Sequence, residues 1–231
     1  MKRSEINALI RSAGQFIGSH GFALPPFAGW SPEDWGGKGS ECDEIRDNML
    51  GWDITDYGLG RFDEVGLVLF TLRNGSQHNS LYQKTYAEKL LISRENQVCP
   101  MHFHWYKMED IINRAGGTLV MKLYNADEND GLADTDVTVV CDGVRKTVPA
   151  GAELLLAPGE SVTLTPRMYH AFWAKQGSGA VLIGEVSQCN DDNTDNRFYK
   201  TMGRFPGIIE DERPLRLLCG EYPRAKRGET P

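Results

Sequence analysis

The chain has 231 residues, a formal net charge of −7 and no run of lysine or arginine before its extreme C-terminus. This length is sufficient for one large domain with a hydrophobic core. The acidic balance disfavours binding to a phosphate backbone, so we expect no nucleic-acid partner. No window approaches the roughly 20 apolar residues of a membrane helix, and the N-terminus lacks the apolar core of a signal peptide. These features predict a cytoplasmic protein without a membrane partner.

The first 60 residues divide into a periodic and an irregular part. Apolar residues recur at helical spacing over residues 4–20, which predicts an amphipathic helix that ends at Gly21. Residues 24–60 are rich in proline, glycine and tryptophan and keep no sustained period. We therefore predict an irregular arm with one short helix around residues 41–50.

Three tryptophans of this N-terminal region, Trp30, Trp35 and Trp52, are expected to cover apolar surface within one subunit or between subunits. The arm holds more tryptophan and proline than one barrel requires to cover itself. We therefore predict a homodimer with the arm at or near the contact.

From residue 65 onward, short runs typical of β-strands alternate with glycine, asparagine and aspartate. The runs are GLVLFTLRNG, YAEKLLISREN, VCPMHFHWYK, GGTLVMKLYNA, TDVTVVCDGVRKTVPAG, ELLLAPGESVTLTPRMYHAFWAK and GAVLIGEVSQCN. Their even spacing indicates an antiparallel sandwich or barrel. We predict a single, mainly β domain over residues 1–231, with the helix and arm in 1–60, the barrel core in 61–205 and a C-terminal extension in 206–231.

Four side chains in the β-rich part have the spacing of a metal site. His102 and His104 alternate in one predicted strand, so both imidazoles face the same side. Glu109 follows near the end of that strand, and Gly116 marks the tight turn expected after it. His170 belongs to a separate predicted strand, from which it could close the site from across the barrel.

Three imidazoles and one carboxylate leave room for water or substrate on an octahedral ion. This ligand set suits manganese, iron, nickel, cobalt or zinc rather than calcium, and does not decide among them. The alternative is that His102 and His104 are ordinary histidines that alternate by chance. The combination of the pair with a carboxylate, a glycine turn and a later histidine favours the metal site.

The segment HFHWYKMEDIINRAG resembles the first motif of the cupins, which runs His, one residue, His, three or four residues, Glu, six residues and Gly. The glycine that opens this motif is Asn96 here, and asparagine can form the same turn. The second motif expects Pro, one residue, Gly, two residues and His, whereas Pro166 stands four residues before His170 without a glycine. The resemblance implies a double-stranded β-helix, an antiparallel β-barrel or jelly roll, that holds a metal on the four residues above.

Four blocks extend the resemblance over nearly the full length. They are MKRSEIN, FHWYKMEDIINRAGG, PRMYHAFWA and EVSQCNDDNTDNRF, and together they resemble the bacterial D-lyxose ketol-isomerases, cupins that also act on D-mannose. The resemblance implies a dimeric, manganese-dependent enzyme that interconverts D-lyxose with D-xylulose and D-mannose with D-fructose. The substrate is implied by the resemblance alone, since composition and spacing predict only the metal site.

Aldose–ketose isomerisation through an enediolate requires a base and a proton source near the metal. Glu185 lies in the apolar run VLIGEVS, where burial is expected to raise the pKa of its carboxyl group, unless it faces solvent. Lys107 follows His104 by three residues. In a regular strand its side chain would point away from the histidines, whereas an irregular strand end would turn it toward them. We interpret Glu185 and Lys107 as candidate catalytic residues, with a surface ammonium beside Glu109 or Asp110 as the alternative for Lys107.

Candidate sugar contacts lie around the metal ligands and in the polar loop QCNDDNTDNRFYKTMGRF. Fixed donors and acceptors recognise sugar hydroxyls, and Asp195 and Arg204 are our candidates from this loop. Trp105 and Phe172 are candidates for stacking on the C–H face of a sugar.

Two other functions fit a site with three histidines and one glutamate. An iron centre of this kind also suits a cupin dioxygenase, which would consume oxygen, whereas isomerisation is redox neutral. A sugar-sensing or metal-sensing cupin would bind without reaction, and Lys107 and Glu185 would then be dispensable.

Overall fold

The computed structural model describes residues 1–189, 191, 194–203 and 207–225. The helical elements are α1 (Arg3–Ser19), α2 (Pro32–Gly36), α3 (Asp43–Asp47) and two 3-10 turns at Pro26–Gly29 and Ser40–Cys42. The predictions of an N-terminal amphipathic helix and of a short helix around residues 41–50 are confirmed. Among the described residues, no helix is both long and apolar enough to cross a membrane.

Thirteen strands follow within the described ranges. They are β1 (Gly51–Thr55), β2 (Leu67–Arg73), β3 (Tyr86–Ser93), β4 (Cys99–His104), β5 (Glu109–Gly116), β6 (Leu119–Asn125), β7 (Val137–Cys141), β8 (Val144–Val148), β9 (Glu153–Leu156), β10 (Ser161–Leu164), β11 (Met168–Ala174), β12 (Val181–Gln188) and β13 (Asn196–Phe198).

These strands form two sheets. The large sheet has the order β1-β2-β3-β12-β5-β10-β7-β8, and the small sheet has the order β13-β4-β11-β6-β9. Neighbouring strands in both sheets pair antiparallel, which confirms the predicted antiparallel β architecture. A core of inward-facing side chains, among them Leu69, Leu91, Met121 and Ile183, fills the space between the sheets. Burial of this apolar surface is the main force that holds the sheets together.

The outer face of the large sheet carries a second core. Ile6, Ile10 and Ile17 of α1 pack there with Phe70 of β2 and Leu90 of β3. Because side chains alternate along a strand, β2 and β3 serve one core with odd-numbered and the other with even-numbered positions. The sheet is therefore buried on both faces in this region.

The C-terminal segment is attached to α1 by charged contacts. The buried guanidinium of Arg3 pairs with Glu210 at 2.6 Å and also with Glu221. Ser4 and Asn7 of the same helix bond to Asp211 and Glu212. The described part of the predicted C-terminal extension thus closes back onto the start of the chain.

Three strands differ from the sequence-based predictions. β1 lies inside the predicted irregular arm, because its five residues are all buried and so show no alternation of polar and apolar positions. β5 occupies residues expected to form a strand end and a turn, and lies in the interior of the large sheet. β13 lies in the predicted polar loop and adds an edge strand to the small sheet.

The tryptophans of the arm are covered within the chain. Trp35 is buried and stacks on Tyr222 with ring centroids 4.0 Å apart, and Trp52 is buried against Phe70. Trp30 is half-buried and meets Trp35 edge to face. The aromatic surface from which the subunit contact was inferred is therefore largely covered within the chain. The homodimer stays a prediction, and the arm gives it less support.

Candidate metal centre and active site

Three histidines converge inside the barrel on adjacent strands of the small sheet. His102 and His104 lie on β4, and His170 lies on β11 directly opposite His102. The ring centroids of His102 and His170 are 4.1 Å apart, and those of His102 and His104 are 5.2 Å apart. One ligand nitrogen from each of the three rings lies within 4.8 Å of the others. All three side chains are buried, so the donors face a single enclosed point.

The position of His170 corrects the expectation that it closes the site from across the barrel. It is a direct cross-strand neighbour of His102 in the same sheet. The turn before it also explains the departure from the second cupin motif. Arg167 stands three residues before His170, where the motif has glycine, and adopts the left-handed conformation with φ +63°. The geometry of the motif is therefore present without its glycine.

The turns of the first motif have the expected conformations. Asn96 has φ +57°, so the asparagine does form the turn made by glycine in the motif. Gly116 has φ +91°, and a Cβ atom there would lie 2.2 Å from the carbonyl oxygen of Ala180. Only glycine fits this crossing between β5 and β12.

Backbone carbonyls orient two of the rings. Nδ1 of His102 lies 2.7 Å from the carbonyl oxygen of Pro100, and Nδ1 of His170 lies 3.1 Å from that of Met168. Each Nδ1–H donates to its carbonyl, which leaves Nε2 as a lone-pair donor for an ion. Burial holds the pKa of His102 well below its usual value and lowers that of His170 to about 4. Both rings are therefore neutral at pH 7, the form that binds metals.

Glu109 reaches the histidines from the opposite sheet. Its Oε1 lies 3.3 Å from Nε2 of His104 and 3.3 Å from Nε2 of His170. This oxygen is buried and makes no hydrogen bond to any described residue. An unsatisfied carboxylate oxygen beside imidazole nitrogens is the arrangement expected of ligands around one cation. The four predicted ligands thus meet at one place and fit a divalent transition-metal ion.

A buried network of charges adjoins the histidines. Nζ of Lys107 lies 2.7 Å from Oε2 of Glu109 and 2.8 Å from Oε1 of Glu185. Lys107 follows the end of β4, so the irregular strand end does turn it toward the histidines. Burial alone would lower the pKa of Lys107, but the two carboxylates outweigh it and raise that pKa. Lys107 is therefore an ammonium ion at neutral pH.

The electrostatics of Glu185 differ from the expectation. Burial does act to raise the pKa of its carboxyl group, but the charges of Lys107 and Lys89 outweigh this and lower it. Burial also acts to raise the pKa of Glu109, but the ammonium of Lys107 and the contacts with the neighbouring histidines together outweigh it and hold that pKa well below its usual range. Both carboxylates are ionised at pH 7.

Lys89 is a member of the site that the sequence reasoning missed. It lies on β3 opposite Glu185, and its Nζ is 3.4 Å from Oε1 of Glu185. The side chain is only 4% exposed. A lysine in an alternating strand normally faces solvent, but Lys89 shares the parity of Leu91 and Ala87, which are buried. In the sequence, the alternation of Lys89 with the apolar Ala87 and Leu91 was the signal that could have indicated its inward orientation.

The histidines and charged residues line a narrow cavity of about 50 Å³. Phe172, predicted to contact the sugar, lies in its wall two residues after His170. Tyr57 and Phe198 line it as well, and the ring of Phe198 lies against that of His102. Neither of these two aromatics was singled out from the sequence.

Two predicted sugar contacts have other surroundings. The ring of Trp105 packs against Phe103 and Arg167, on the face of β4 opposite the histidines, and does not line the described part of the cavity. Asp195 is buried, and its carboxylate accepts hydrogen bonds from the backbone N–H groups of Tyr106 and Lys107 at 2.8 and 3.2 Å. It therefore holds the backbone that carries Lys107, and its contact with a substrate stays a prediction.

The last candidate, Arg204, lies outside the described residues.

Comparison with known families covers nearly the whole chain. Residues 1–222 match the family model described as D-lyxose isomerase. A D-lyxose/D-mannose isomerase from Serratia proteamaculans is 52% identical over 97% of this chain and 99% of its own length. A D-lyxose/D-mannose isomerase from Escherichia coli O157:H7 is 51% identical over 96% of this chain and 98% of its own length.

Solved structures share the architecture at much lower identity. L-ribose isomerase from Cellulomonas parahominis with L-ribose superposes with a TM-score of 0.60 at 16% identity, over 90% of this chain and 98% of that chain. L-ribose isomerase from Geodermatophilus obscurus gives a TM-score of 0.55 at 16% identity, over 86% of this chain and 92% of that chain. Together with the antiparallel double sheet, these likenesses confirm the predicted cupin-type fold.

Proposed function

The chain belongs to the D-lyxose isomerase family, and from this premise we propose that it interconverts D-lyxose with D-xylulose and D-mannose with D-fructose. It is an aldose–ketose isomerase by its relatives, two of which are named D-lyxose/D-mannose isomerases. The observation that carries the proposal is the contact between the four-ligand cluster and the Lys107–Glu185 pair in one cavity. A metal centre beside a buried acid and a buried base provides the functional groups that this reaction requires.

His102, His104, Glu109 and His170 would hold the ion, for which we propose manganese, with cobalt, iron, nickel and zinc sharing the same ligand preference. When bound, a divalent ion acts as a Lewis acid for the negative charge that develops on the sugar oxygens. The carbonyl groups of Pro100 and Met168 keep two of the rings in the tautomer that binds.

Glu185 is the proposed base. Conversion of an aldose to a ketose moves one hydrogen from C2 to C1 and another from O2 to O1. The ionised carboxylate of Glu185 accepts the C2 proton, the C–H electron pair forms the C1–C2 double bond of the enediolate, and the same proton returns to C1. The reverse direction uses the same groups.

Lys107 is the proposed partner for the oxygens. Its ammonium is held between Glu109 and Glu185, 2.7 and 2.8 Å away, and so lies beside the base and a metal ligand at once. It hydrogen-bonds the oxygen on which charge develops and mediates the proton exchange between O1 and O2. Phe172 closes the wall next to His170, and Asp195 acts as a positioning residue through the backbone of Lys107.

The test is a reaction of the purified protein, stripped of metal and reloaded with each of the five ions separately. We expect D-lyxose to yield D-xylulose and D-mannose to yield D-fructose, with chelator as the negative control. No turnover of either sugar with any of the ions would refute the proposal. Oxygen consumption with the iron-loaded protein would favour the dioxygenase, and sugar binding without product would favour the sensor.

A further inference from the structure

A second cavity adjoins the histidine cavity along the large sheet. It has a volume of about 260 Å³ and is lined by residues of α3, β1, β2, β3 and the segment after β2. Lys89 lines this cavity as well as the histidine cavity. A single buried side chain therefore borders both spaces.

A row of polar side chains connects the two cavities on the inner face of the sheet. Lys89 is paired with Glu185 on one neighbouring strand and with Thr71 on the other. Asp53 on β1 lies beyond Thr71 in the wall of the second cavity. Polar side chains thus lead from the proposed base, through Lys89 and Thr71, to the wall of the second cavity.

The histidine cavity is the narrower of the two spaces. Its volume is about 50 Å³, against about 260 Å³ for the second cavity. A substrate whose C1 and C2 lie at the histidines can extend past Lys89, whose side chain is in the wall of both cavities, into the larger space.

The chemistry of the second cavity suits hydroxyl groups. Asn48 is 4% exposed and lines the cavity, and its side-chain Nδ2 has no hydrogen-bond partner among the described residues. A buried donor without an acceptor is unfavourable, and an oxygen of a ligand would supply the missing partner. Asp47 and Asp53 offer acceptors for hydroxyl hydrogens. With Asp191 they place three carboxylates against the one ammonium of Lys89, which disfavours a phosphorylated ligand.

We propose that this second cavity binds the hydroxyl groups at the far end of the same sugar, with Lys89 at the junction and Asn48 and Thr71 as selectivity residues. The inference rests on the proposed function, because it takes C1 and C2 to lie at the histidines. The chain of D-mannose is one CHOH unit longer than that of D-lyxose. The cavity therefore distinguishes the six-carbon from the five-carbon substrate.

The experiment compares the two sugars on the manganese-loaded enzyme. Asn48→Leu removes the unpartnered donor and Thr71→Val removes a hydroxyl at nearly constant volume. Loss of one hydrogen bond to the ligand should lower the ratio of kcat/KM for D-mannose to that for D-lyxose by about five- to tenfold. Thr163→Val is the matched control, since Thr163 of β10 bonds to Asp110 and does not line the cavity.

An unchanged ratio in both folded variants overturns the inference while the proposed function stands. Absence of turnover of both sugars by the unsubstituted enzyme refutes the proposed function instead. Circular dichroism checks that each variant is folded. If Asn48→Leu does not fold, Thr71→Val alone carries the test.

Calorimetric titration of the holoenzyme with D-mannitol should give one equivalent per chain. Two equivalents would overturn the continuity of the cavities, because a second free polyol would then occupy the larger one.

Discussion

The two faces of the large sheet differ in the kind of side chain that the same strands present. On the face toward α1, Ile54 of β1 and Phe70 of β2 belong to an apolar core. On the inner face, the adjacent residues Asp53 and Thr71 line a polar cavity together with Lys89. Consecutive residues therefore serve stability on one face and binding on the other. Substitutions one residue apart should have effects of different kinds, and four predictions test this separation.

The largest effect is expected from loss of a metal ligand. His102→Ala or His170→Ala should abolish measurable metal binding and lower kcat/KM by about a hundredfold or more, because the remaining donors cannot hold the ion. Elemental analysis and steady-state kinetics measure both quantities. Stoichiometric metal in either variant would refute the assignment of the site.

The next effect separates chemistry from metal binding on the inner face. Glu185→Gln keeps the size of the side chain and should keep the metal, but kcat should fall by about 10²- to 10⁴-fold through loss of the base. Val186→Thr is the control, since Val186 is the next residue of β12 and is 40% exposed. If the two variants keep equal kcat, Glu185 is not the base.

On the apolar face, the effect should appear in stability. Phe70→Ala removes a fully buried ring from the core against α1 and should lower the free energy of unfolding by roughly 3–5 kcal/mol. At a temperature where the variant stays folded, its kcat should remain within about twofold of the unsubstituted enzyme, because the barrel interior is untouched. Denaturant unfolding and kinetics measure the two parts. A large fall in kcat with little loss of stability would contradict the separation of the faces.

The smallest effect is expected at Asp195. Asp195→Asn leaves one oxygen to accept the two backbone hydrogen bonds, so the Lys107 backbone loses part of its support. We expect kcat to fall about tenfold with KM and metal content little changed. A rise in KM with constant kcat would indicate that Asp195 binds the sugar, as the sequence suggested.

Sequence reasoning identified the cluster of candidate metal ligands better than it predicted the architecture around them. The alternation of His102 and His104 is a local property of one strand, and the structure preserves it. Which strand lies beside which is a long-range property. For that reason the prediction placed His170 across the barrel, whereas His170 is adjacent to His102 and Glu109 lies on the opposite sheet.

The errors at individual residues have a common physical cause. The pKa of Glu185 depends on Lys89 and Lys107, which come from two other parts of the chain. The burial of Glu185 was inferred from its own run of apolar neighbours, but the signs of the charges around it were not visible there. The backbone partners of Asp195 were not visible for the same reason, since they lie 88 and 89 residues away in the sequence.

The proposed metal ligands are divided between the two sheets, so metal affinity depends on whether the barrel is assembled. The histidines come from the small sheet and Glu109 from the large one, so neither sheet alone presents the full set. An ion bound to all four would clamp the sheets together and would favour the folded state over the unfolded chain. At a free-ion concentration of a hundred times Kd, this linkage amounts to about 2.7 kcal/mol. A chelator should then lower the melting temperature as well as stop the reaction.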